Sequence, residues 1–248
     1  MGLGCLYMCG HMDPVYPLPV QLCDRDLPWV EHATHLGHEL HQLCNMEFDT
    51  NIKRAQFIET SVQLQETFGF AQPTQILQAV QKHAGHWYGS MLWDLFGEKA
   101  GQIYRSWNTC AKLTWGVPRS THTYLVDNLL ATQFLTVKQQ LVGMFVNFVR
   151  KLLTSKSPEV CIVANMVARC SRSTTGRNLI NIERETLLDP WVIPPWRIRN
   201  AVKREEVPAN EGWRVQYLAK LLDARGEMEI MCENLEEINL LIDGLCSS

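Results

Sequence analysis

The chain has 248 residues, enough for one large or two ordinary domains, and its 46% hydrophobic and 20% charged content is that of a globular protein. A formal net charge of −3 makes any basic surface a local feature. No apolar run approaches the roughly 20 residues needed to cross a bilayer, and Met1 to Gly10 lacks the basic residue of a secretory leader. Nine cysteines, an odd number with no CxxC, predict reduced and mostly buried thiols. The expected location is intracellular, cytoplasmic or nuclear.

In chain order, the first 48 residues read as strands and turns. Val15 to Leu22 alternates apolar positions broken by prolines, as in an edge strand, Asp24-Arg25-Asp26 is a polar turn, and Leu27 to Val30 starts a return strand. From Asp49 the period changes to that of a helix. Asp49 or Thr50 is placed to cap it, and two stripes follow: Ile52, Ala55, Ile58, Val62, and Phe57, Leu64, Phe68. Gly69 ends this helix and Pro73 starts the next, through Ile76, Leu77 and Val80. A third runs from about Glu98 to Trp115, with Ile103, Trp107 and Ala111 on one face. Gly116-Val117-Pro118 breaks it, and Ser120 or Thr121 caps another carrying Tyr124, Leu125 and Leu129.

Val137, Leu141, Phe145, Phe148 and Leu152 form the cleanest stripe. Ser157-Pro158-Glu159 then combines a capping serine, a first-turn proline and an acid at the positive helix end. Thr175-Gly176 is expected to separate that helix from a shorter one. The three prolines of Asp189 to Trp196 forbid a continuous helix and mark a linker. Two further helices follow, near Gly212 to Ala224 and Met231 to Leu245. The reading is mainly α: a multi-helix, bundle-like region behind a small N-terminal β-hairpin, divided as 1–48, 49–189 and 190–248.

Charge is unevenly spread. From Gly101 to Arg184 there are 11 lysines and arginines against Asp127, Glu159 and Glu183, whereas from Asp223 onward seven acids face Arg225 alone. The basic stretch fits either a polyanion-binding surface, where cations release counterions from phosphates, or a set of solvated helix faces. The acidic end reads as a solvated terminal helix. Trp87, Trp93, Trp107 and Trp115, with Tyr88, Tyr104 and Tyr124, lie in or beside the basic stretch. At helical spacing such rings belong to a core more often than to a base-stacking platform. Arg119, between Pro118 and a helix start, is placed for phosphate, with the N–H groups of Ser120 to Thr123 adding to it.

Other constellations carry less. His32, His35, His38 and His41 recur every third residue, but His38-Glu39-Leu40-His41 is one residue short of HExxH, and Gly37 interrupts a helix there. Polar structural histidines are the reading. Asp24 and Asp26 suit a turn better than a magnesium pair, and Ser90 in Tyr88-Gly89-Ser90-Met91 lacks the second glycine of a nucleophile elbow. No phosphate-binding glycine loop is present. The residues contain no self-contained active site.

Taken together in order, several stretches resemble one family. Leu22 to Leu40, with Tyr7-Met8-Cys9-Gly10-His11 before it, resembles the end of the palm of non-LTR (LINE-type) retrotransposon reverse transcriptases. Lys53-Arg54-Ala55-Gln56-Phe57, Tyr88 to Leu95, Trp107 to Arg119 and Thr121 to Val126 resemble the helical thumb and the region after it. Asp189-Pro190-Trp191, Val207-Pro208 and Trp213-Arg214 fit its continuation. The resemblance implies RNA-directed DNA polymerisation with two Mg²⁺ ions held by palm aspartates. No Asp-Asp pair occurs in this sequence, so the chain is expected to be inactive alone and to hold no cofactor itself. Fingers and most of the palm would lie upstream.

The expected role is that of a thumb gripping an RNA/DNA template–primer duplex through its backbone, with no membrane partner. Arg105, Lys112, Arg119, Arg150 and Lys151 are the expected phosphate contacts. The rival is a catalytically silent helical protein-interaction module, which should expose an apolar groove instead. A metal hydrolase built on the four histidines comes third.

Overall fold

A computed structural model describes residues 21–22, 25–26, 32–35, 38–41, 47–69, 71–85, 87–131, 133–228 and 235–247. The chain divides into two units, 1–53 and 54–248, with the boundary inside the first helix. In the first unit, β1 (Gln21–Leu22) pairs antiparallel with β2 (Arg25–Asp26), so Arg25 and Asp26 extend a ladder rather than only turning the chain. β3 (His32–His35) pairs antiparallel with β4 (His38–His41), setting His32 opposite His41 and His35 opposite His38. The strand positions expected at 15–20 and 27–30 lie outside the described residues.

The chain is mainly helical. The helices are α1 (Glu47–Phe68), α2 (Pro73–His83), α3 (Glu98–Thr114), α4 (Thr123–Leu129) and α5 (Val137–Leu153), followed by α6 (Pro158–Arg169), α7 (Thr174–Thr186), α8 (Pro195–Ala201), α9 (Gly212–Met228) and α10 (Leu235–Ser247). No helix among the described residues is long and apolar enough to cross a membrane. Because α1 begins at Glu47, Asp49 and Thr50 stand inside its first turn and are buried instead of capping it. The expected capping at Ser120 or Thr121 also moves: His122 is the N-cap residue of α4, and the Thr121 hydroxyl is buried without a partner. Ser157 caps α6 as its sequence predicts, accepting from the Val160 N–H.

Thr175-Gly176 is no break. Ser173 caps α7, its Oγ accepting from the Gly176 N–H at 2.8 Å, and the chain turns earlier, over residues 170–173. Gly176 is required because a Cβ there would lie 2.1 Å from the Cys170 carbonyl oxygen. Nor is the proline-rich stretch from Asp189 a free connection. Pro195 opens α8, which packs on α5 through buried Ile198, with Val202 buried just beyond it.

α5 is the centre of the second unit, lying against α3, α6, α8 and the 3-10 turn Ser90–Leu92. Its Val137, Leu141 and Phe145 are fully covered, as the periodicity predicts. Around it runs a chain of rings: Phe57 on Trp87 (centroids 5.3 Å apart), Trp87 edge-on to Trp93 (6.3 Å), Phe57 near Trp107 (6.5 Å) and Trp107 near Phe134 (6.4 Å). Trp87, Trp93 and Trp107 are buried, so these rings are core. Burying each contributes roughly 1.5–3 kcal/mol. A second cluster joins α9 and α10 to α4 through Leu218, Leu222, Ile238, Ile242 and Leu125.

One polar side chain fixes the ring-bearing loop. Asn178 on α7 is fully buried, donates from Nδ2 to the Trp93 carbonyl (2.8 Å) and accepts at Oδ1 from the Leu95 N–H (3.0 Å). Deleting it strands two buried backbone groups, each at about 1–3 kcal/mol. Asn178→Ala is therefore expected to lower unfolding free energy by about 2–5 kcal/mol in urea titration, whereas exposed Arg184→Ala shifts it by less than about 0.5 kcal/mol.

Candidate nucleic-acid interface

α1 and α3 are joined by hydrogen bonds that leave a groove between them. Arg54 on α1 donates from Nε to the Ser106 hydroxyl (3.0 Å), and Gln65 reaches the Thr114 hydroxyl (2.8 Å) and Cys110 Sγ (3.3 Å). The resulting cleft has a volume of about 460 Å³. Ile58 and Val62, one apolar stripe of α1, form its apolar wall and stay partly exposed. Arg54 and Arg105 both line the cleft, and among the described residues no carboxylate does. At its floor, burial pushes the Cys110 thiol pKa up. The cleft can thus accept an anion beside two guanidinium groups with an apolar surface adjacent, a combination suited to a phosphodiester.

The five cations expected to touch phosphate are not equivalent. Arg105 lies in the cleft and is exposed. Lys112 is half-buried and donates from Nζ to the Arg119 carbonyl (3.2 Å), which draws Lys112 and Arg119 to one turn. Burial lowers the Lys112 pKa, against the pull of Glu205. Arg119 is exposed, and of the N–H groups expected to join it that of Thr121 is given to the Pro118 carbonyl, ahead of the seven-residue α4. Arg150 donates from Nε to the Pro190 carbonyl (3.4 Å) and from Nη2 to that of Trp191 (3.0 Å), so it holds a loop. Lys151, next to it at the end of α5, is exposed. Among the described residues none of the five forms an ion pair, unlike Lys138, which binds Glu185 at 2.5 Å, and Arg177, which reaches Asp94 at 3.6 Å. Arg54 lies outside the basic stretch that starts at Gly101; its signal in the sequence is the Lys53-Arg54 pair, the only cations of α1.

Beside the middle of α3, Tyr104, Trp107, Asp127, Lys138, Glu185 and Arg204 line a second cleft of about 370 Å³. Tyr104 donates its hydroxyl to the Leu95 carbonyl at 2.7 Å, and burial pushes its phenol pKa far up. Arg204 donates from Nη1 to the Asp127 carbonyl at 2.9 Å. The Asp127 carboxyl is raised to about 6, first by burial and then by Glu205, against Arg204. Its native form therefore binds a proton more tightly than the unfolded chain does, and stability falls as pH rises from about 4 to about 6. Asp127→Asn is expected to remove that slope and to stabilise the protein at pH 7 by roughly 2 kcal/mol, as read from urea midpoints at pH 4.5 and 7. No family profile, curated protein or solved structure matches this chain.

Proposed function

We propose that the chain is the C-terminal part of a retrotransposon-derived RNA-directed DNA polymerase, and that its helical region grips an RNA/DNA duplex through the phosphate backbone. The motif order from Leu22 to Arg214 supports the ancestry. One structural observation carries the binding role: Arg54 and Arg105, from two helices, share a groove with no carboxylate among the described residues that line it. Contacts of this kind position a duplex without reading its sequence. The parent enzymes hold two Mg²⁺ ions on palm aspartates, and this sequence contains no Asp-Asp pair, so the proposed role is duplex binding alone.

A second reading, a helical protein-interaction module, is favoured by the apolar outer face of α6, where Ile162, Val163 and Met166 are exposed. The two are separated by binding to an RNA/DNA hybrid as a function of salt. If the groove holds phosphate, Arg54→Gln with Arg105→Gln reduces the slope of log affinity against log salt by about 1–2 and weakens all duplex sequences alike. An unchanged slope would remove the duplex reading.

A further inference from the structure

Helix α6 is built inside out. Its inward positions, Cys161, Ala164, Asn165 and Ala168, are small or polar, and Ala168 alone is fully buried. Its outward positions are large and aliphatic: Ile162 is 60% exposed, Val163 58% and Met166 68%. Polar residues normally occupy the solvent face of a helix, so this ridge is shaped for cover. The same helix carries its own charge complement. Glu159 stands four residues before Val163, and Arg169 three after Met166, so each borders one end of the ridge. Both are exposed.

We infer that the ridge of α6 is a self-association surface on which two copies of this chain pack antiparallel about a two-fold axis. That orientation sets Ile162 against the partner's Met166 and Glu159 against the partner's Arg169, twice over. The parallel alternative places Glu159 against Glu159 and Arg169 against Arg169. A two-fold contact is self-complementary and closes at a dimer, as this arrangement requires. In the same antiparallel order Lys156 and the partner's Arg172 lie three residues beyond each charge pair, outside α6, and their repulsion subtracts from the contact. A single 12-residue helix on its copy is a small contact beside the roughly 1,000 Å² that a stable specific interface clears, so the dimer is weak and concentration-dependent. This inference rests on none of the residues assigned to the duplex groove.

Sedimentation equilibrium of the full chain tests it. The wild type is expected to show a reversible monomer–dimer equilibrium in the micromolar-to-millimolar range. Met166→Glu, at an exposed site, should weaken it at least tenfold. Glu159→Arg alone and Arg169→Glu alone should each weaken it similarly, because each then faces like charge at both ends. Mixing these two variants in equal amounts should restore dimer, since one chain then brings only cations and the other only carboxylates. Circular dichroism of each variant checks that α6 remains folded, and the mixture is its own control, being made of the same chains. A wild type that stays monomeric throughout, a dimer indifferent to Met166→Glu, or a mixture that stays monomeric would each overturn the inference.

Discussion

The carboxamide of Asn178 is the constraint on which the arrangement of α3 depends. Through one donor and one acceptor it holds the Trp93 carbonyl and the Leu95 N–H, placing Trp93 at the end of the ring chain. The same Leu95 then offers its carbonyl to Tyr104 on α3, one residue before Arg105. A neutral side chain on α7 thereby sets the position of the helix that forms one wall of the cationic groove. The contact is directional and dry, so a near-miss costs the desolvation of two backbone groups rather than a small loss of attraction. Hydrophobic burial supplies the larger energy, but it does not select this one placement.

Charge in this protein divides into cations that satisfy the fold and cations that face outward. Arg150 supplies donors to the Pro190 and Trp191 carbonyls, Lys112 to that of Arg119, Arg177 to that of Arg172, and Arg225 to that of Gly116. Loops and helix ends leave carbonyls without backbone partners, and long cationic side chains are the donors that reach them. A tally along the sequence counts both kinds alike. That is why the excess of positive charge between Gly101 and Arg184 overstates the basic surface, while Arg54, outside that stretch, joins the groove.

Helices were legible wherever a periodic stripe coincided with a terminal signal. Val137 to Phe145 and Ser157-Pro158-Glu159 are the clearest cases, and Gly116-Val117-Pro118 marks the end of α3 because Gly116 adopts a positive φ of 62°. The Thr136–Gln139 capping box is the matching start signal of α5, a threonine followed three residues later by a glutamine. What periodicity could not reveal is the partner of a stripe. Ile58 and Val62 repeat as core residues do, yet their neighbour across the groove stands off, and Ile162, Val163 and Met166 repeat with nothing over them. The groove itself required tertiary geometry, because Arg54 and Ser106 are 52 residues apart.

The corner between α6 and α7 has a mechanical consequence. There the bare Cα of Gly176 leaves no room for even a methyl group against the carbonyl of Cys170. Any side chain at this position, alanine included, would force the two segments apart, so the tight entry of α7 after α6 is open to glycine alone.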